Sequence, residues 1–83
     1  MNFGRYDVIT FEDGGKVVVL EAILYNNKEY LYCNEILKDE SDLTDDYKIL
    51  EPNYTNGTFE KVIDVELLKI LLPMFQEKLE KYV

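Results

Sequence analysis

The side chains with chemical potential that this chain concentrates are carboxylates. Between Glu35 and Asp46 the sequence EILKDESDLTDD places Glu35, Asp39, Glu40, Asp42, Asp45 and Asp46 against a single base, Lys38. That stretch carries −5 of the chain's formal −8, while residues 1–34 carry −2 and residues 47–83 carry −1. Acidity gathered in one stretch is a candidate contact surface, whereas diffuse acidity serves mainly solubility. Hard oxygen ligands of this kind also suit Ca²⁺ or Mg²⁺. The order Asp39-Glu40-Ser41-Asp42-Leu43-Thr44-Asp45-Asp46 nevertheless lacks the spacing and the turn glycine of an EF-hand loop, so no metal and no other cofactor is expected. Two readings stay open for residues 35–46: a solvated acidic loop, or a loop that offers Asp39, Glu40, Asp42, Asp45 and Asp46 to a basic protein.

Catalytic groups are poorly supplied. The 83 residues include no histidine, which removes the usual general base near neutral pH and any Cys–His or Ser–His pair. Cys33, the sole cysteine, sits inside a strand pattern and reads as a small buried hydrophobe. Gly14-Gly15 is too short for a phosphate-binding loop and reads as a tight turn. Seven tyrosines (Tyr6, Tyr25, Tyr30, Tyr32, Tyr47, Tyr54, Tyr82) suit strands, and tyrosine is also enriched at protein interfaces. An enzyme is therefore not expected. The acidic balance disfavours nucleic acid and anionic membranes as direct ligands, because phosphates are repelled.

The elements that must hold these groups follow from pattern. Tyr6–Phe11 is a short strand ending at the Asp13-Gly14-Gly15 turn. Lys16–Tyr25 is the clearest strand, with Val18, Leu20, Ala22 and Leu24 on one face at period two. Asn26-Asn27-Lys28 turns the chain into Glu29–Asn34, with Tyr30 and Tyr32 on one face and Leu31 and Cys33 on the other. After the acidic stretch, Tyr47–Tyr54 and Thr58–Ile63 form a hairpin around Asn56-Gly57. Asp64 is a helix N-cap, and Leu67, Leu68, Leu71, Leu72, Phe75, Leu79 and Tyr82 recur as one helical stripe. Pro73 interrupts it. Either the helix kinks there or Pro73 opens a second helix at its first position. The Leu-Leu-Pro-Met-Phe run favours a corner between two short helices, which would bring Ile70 and Met74 to the surface as a contact patch.

This layout resembles the YrzB-like small acidic bacterial proteins, a family of domains of unknown function. The resemblance is carried by Ile9-Thr10-Phe11-Glu12-Asp13 before the Gly14-Gly15 turn, the apolar strand through Leu24, and Tyr25-Asn26-Asn27-Lys28-Glu29-Tyr30. It continues through the acid-rich loop, the strand at Ile49-Leu50, and Val62-Ile63-Asp64 opening a terminal helix. It covers roughly Asp7 to Leu79 and implies a small bacterial domain with no assigned activity. Pro73 and the apolar run around it depart from that family's acidic terminal helix.

The expected fold is α+β: one domain over residues 1–83, mainly an antiparallel sheet of about five strands in two hairpin or meander blocks. A C-terminal helix or kinked helix pair, residues 64–83, lies on one face over Val18, Leu20, Ala22 and Leu24. With one cysteine, no disulfide and no apolar leader at the N-terminus, a reducing cytoplasm is the expected location. The expected role is a non-catalytic module that binds a protein, one of basic character, with self-association also open. The alternative is a nucleic-acid mimic that occupies the basic groove of a nucleic-acid-binding protein.

Overall fold

Turn chemistry sets the topology. A computed structural model of the chain describes residues 3–36 and 43–80, the first three of the second span as backbone only. It contains β1 (Val8–Thr10), β2 (Lys16–Tyr25), β3 (Lys28–Ile36), β4 (Leu43–Asn53), β5 (Thr58–Lys61) and α1 (Val65–Glu80). The five strands form one antiparallel meander in the order β1-β2-β3-β4-β5. Gly14 takes the left-handed conformation at φ 88° between β1 and β2, where the Asp13 carboxylate accepts the Gly15 N–H. Asn26 and Asn27, at φ 51° and 64°, form the two-residue turn between β2 and β3 whose twist matches antiparallel strands. Gly57, at φ 67°, closes the turn between β4 and β5.

Both sheet faces are buried, by different means. On one, Ile9, Val17, Val19, Ala22, Leu31, Cys33 and Leu50 form a cluster capped by Phe3, Phe11 and Phe59. Phe3 and Phe11 flank β1 while Phe59 lies in β5, and their rings meet edge-on at 5.5 and 6.2 Å. The sheet must curl to bring its two ends together, so it supplies its own cover on this side. On the other face, Ile23, Tyr30, Ile49 and Val62 receive Leu71 and Phe75 of α1. Tyr30 and Tyr32 thus face the helix and Leu31 and Cys33 the curled interior, as their alternation predicts.

The face expected under the helix needs correction. Val19 pairs with Cys33, but Glu21 pairs with Tyr32, so Leu20 is an extra residue in a β-bulge. A bulge resets the alternation. Val17, Val19 and Ala22 consequently share the curled interior, while Ile23 and Tyr25 turn towards α1. The helix covers β2 through Ile23, and the set Val18, Leu20, Ala22 and Leu24 is not its floor.

The two-helix corner is also overturned, since α1 runs without a break from Val65 to Glu80 with Pro73 inside it. Asp64 caps it as expected: its carboxylate accepts the N–H of Glu66 at 3.0 Å and of Leu67 at 3.4 Å. Leu71 and Phe75, on either side of Pro73, are both fully buried in one cluster, which holds both halves of the helix to the sheet. Pro73 and Lys69 lie on the exposed side, where water can serve the Lys69 carbonyl that lacks a proline N–H. The strand limits shift as well. β3 runs on to Ile36 and β4 begins at Leu43, so Glu35, Asp45 and Asp46 of the acidic stretch belong to strands. No helix among the described residues is long and apolar enough to cross a membrane.

Candidate interaction surface

β5 is short and β4 is long. β5 pairs with Leu50–Asn53, and among the described residues no strand neighbours the outer side of Leu43–Lys48. The last rung is the Val62 N–H donating to the Ile49 carbonyl at 2.9 Å. The helix backbone lies nearest β2. Between the β4 edge and α1 lies a hollow of about 250 Å³ lined by Tyr32, Tyr47, Ile49, Val62, Leu68 and Leu72, with Lys48 and Lys61 at its rim. A second hollow of about 470 Å³ continues past Tyr32 and Leu72 to Gln76 and Leu79. Because the two share Tyr32 and Leu72, they form one groove along the helix.

The groove has a firm aromatic floor and a mixed rim, in which Tyr47 and Leu72 stand beside Lys48 and Lys61. Tyr32 and Tyr47 stack with ring centroids 5.3 Å apart at 18°, and Tyr32 also meets Phe75 at 5.4 Å. Burial, with the neighbouring Tyr47, raises the Tyr32 phenol above its ordinary value and keeps it neutral. Tyr47 is 54 % exposed and Leu72 45 % exposed, so each presents apolar surface to the groove and to water.

Charge is arranged beside it. Glu35 of β3 is ion-paired with Lys48 of β4, and that bond holds its carboxyl below the usual range. Asn34, 2 % exposed, donates its side-chain N–H to the Asp46 carbonyl at 3.1 Å, fixing the backbone at the irregular step between Asn34 and Ile36.

Of the residues singled out by sequence, Asp39, Glu40 and Asp42 lie outside the described residues. Asp45 and Asp46 lie in β4, and Asp46 is exposed near the groove's open edge. Ile70 is exposed on α1, whereas Met74 is half-buried against the helix-side cluster, so the two do not make one free patch. Cys33 is fully buried, and desolvation pushes its thiol up to about 12, which removes it as a nucleophile at neutral pH.

Sequence reading missed two places. One is the groove through Tyr32, Tyr47 and Leu72, where only the abundance of tyrosine was a signal. The other is Glu29, 8 % exposed, at the end of the sheet where Leu24, Glu51, Pro52 and Glu60 border a further hollow. Glu29 accepts a hydrogen bond from the Tyr54 hydroxyl, and among the described residues its second oxygen is buried without a partner. Glutamate at a strand start gave no sign of burial.

No family model matches the chain, and neither the curated proteins nor the solved structures include a significant match.

Proposed function

We propose that the chain is a non-catalytic binding module that engages a basic protein. The observation that carries this reading is the groove between α1 and β4, where Tyr47 and Leu72 leave apolar surface open over a stacked aromatic floor. Apolar ground of that kind on a small soluble fold is a place for a partner. The formal charge of −8 sets the partner's sign, since a basic surface is drawn in and acidic ones are turned away. The buried thiol of Cys33 and the lack of histidine in the sequence support a role in binding over catalysis.

The experiment is capture of basic proteins on the immobilised chain, run in parallel with Leu72→Glu and with rising salt. Retention is expected to fall in both arms. Proteins held equally by Leu72→Glu would rule the groove out as the contact. Addition of duplex DNA separates this reading from nucleic-acid mimicry. A mimic's partner is stripped off by DNA, whereas a groove-bound partner stays.

A further inference from the structure

We infer that the hollow around Glu29, at the end of the sheet, binds a guanidinium group, supplied by an arginine side chain of the basic partner. This rests on the binding-module reading above and names where that partner's charge is read. The hollow holds about 600 Å³ and is bordered by Leu24, Lys28, Glu51, Pro52, Tyr54 and Glu60. Strand register builds it. Glu29 of β3 stands opposite Leu24 of β2, and Glu51 of β4 stands directly opposite Glu60 of β5. Like charges directly opposite one another repel across a ladder. Lys28 reaches Glu51 at 3.4 Å and is the one cationic group in the lining, against the carboxylates of Glu29, Glu51 and Glu60. Three negative charges and one positive leave the lining at a formal −2.

Glu29 points to the occupant. It faces the hollow, is 8 % exposed, and gives one oxygen to the Tyr54 hydroxyl. Among the described residues its other oxygen is buried and meets no donor. An unmet buried acceptor is costly, so a donor brought to it is held firmly. The donor's shape follows from the rest of the lining. Among the described residues no three carboxylates converge as a metal site needs, and the set suits an organic cation instead. A guanidinium carries five N–H donors in a planar fork, enough for Glu29 and the Glu51–Glu60 pair together, whereas an ammonium is a point charge. The Tyr54 ring, stacked on Phe3 and 56 % exposed, offers a face on which that plane packs. Tyr54 opens the turn between β4 and β5, where a small rotation of its ring uncovers the second Glu29 oxygen. The hollow also continues the groove. Glu51 follows Ile49 by two residues in β4, and Glu60 adjoins Lys61 in β5, while Ile49 and Lys61 line the groove. A partner seated over Tyr47 and Leu72 thus finds its cation site next along the same two strands.

The test titrates N-acetyl-arginine methylamide into the full chain and follows the Glu29 side-chain carboxyl resonance by NMR. The citrulline counterpart, equal in shape but neutral, the lysine counterpart and agmatine complete the set. The arginine compound is expected to shift the Glu29 signal saturably. The lysine compound should bind severalfold more weakly, and the citrulline compound should not bind. Glu29→Gln should abolish the binding, and Glu60→Gln, at an exposed position, should weaken it severalfold with the backbone spectrum otherwise kept. If Glu29→Gln does not fold, Glu60→Gln decides, and an unchanged affinity there would overturn the site. A Glu29 signal unmoved by arginine, or moved equally by citrulline, would also overturn it and leave the second oxygen to a buried water only. Agmatine binding far more tightly than the capped arginine would assign the hollow to a free small cation in place of a protein side chain. If the capped arginine fails while Leu72→Glu still lowers retention of basic proteins, this site is wrong and the binding module stands. If the capped arginine binds while Leu72→Glu changes nothing, the groove fails and this site stands.

Discussion

Single residues show where this fold carries unbalanced polarity. Glu29 is buried; one of its oxygens accepts from the Tyr54 hydroxyl, and among the described residues the other meets no donor. Removing that hydroxyl while keeping the ring isolates its worth. Tyr54→Phe preserves the stack on Phe3 and leaves the carboxylate with both oxygens unmet. An unmet buried acceptor costs about 1–3 kcal/mol, so urea melts should show the variant's unfolding free energy lowered by about that amount. Unchanged stability would mean that Glu29 finds another donor. Cys33, Tyr30 and Tyr32 make a second prediction, at alkaline pH. All three have pKa values raised chiefly by burial, with Glu51 adding to the effect at Tyr30, and Cys33 moves from 9.0 to about 12. A raised folded value favours the neutral form, so the contribution is complete below the unfolded value and drains as pH climbs through the folded one. Stability measured by urea melts should therefore decline from about pH 9 to 12. Cys33→Ala should start lower at pH 8 because of its cavity, and then decline less steeply over that window. Parallel slopes for the two proteins would show that the thiol does not set the alkaline limit.

Among elements, those with local chemical signals were legible from sequence and those set by one displaced residue were not. Asp13-Gly14, Asn26-Asn27 and Asn56-Gly57 mark three turns, because left-handed backbone selects glycine and asparagine. Asp64 marks the helix start for the same kind of local reason. The bulge at Leu20 left no trace. Both faces of Lys16–Tyr25 are apolar, so an extra residue does not disturb the visible pattern, yet it exchanges which residues meet the helix. The groove was hidden too, since it depends on β5 stopping after four residues and exposing β4. Pro73 gives this scale its prediction. In a continuous helix the proline costs about 3 kcal/mol through a lost hydrogen bond and a clash with the preceding turn. It returns about 0.4–1 kcal/mol by stiffening the unfolded chain. Pro73→Ala should therefore stabilise by about 2 kcal/mol, read as a higher urea midpoint with unchanged slope. A loss of stability would point back to a helix break at this position.

For the whole molecule, charge and shape act on different steps of association. Among the described residues, the two buried clusters are assembled from apolar side chains of the sheet, Val62 and α1. Changing Asp39, Glu40, Asp42, Asp45 and Asp46 to amides moves the net charge from −8 to −3, five negative charges fewer. Folding should persist, with a urea midpoint equal to or slightly above that of the wild type because self-repulsion falls. Binding of a basic peptide should change in a specific way. Long-range attraction speeds encounter by about 10-fold or more at low salt, so the association rate should drop by that order and lose most of its salt dependence. The dissociation rate should barely move, because the contact itself is assigned to the groove. Stopped-flow measurement at two ionic strengths separates the two rates. A variant that binds at the normal rate but leaves much faster would relocate the contact from the Tyr47–Leu72 groove to the carboxylates themselves.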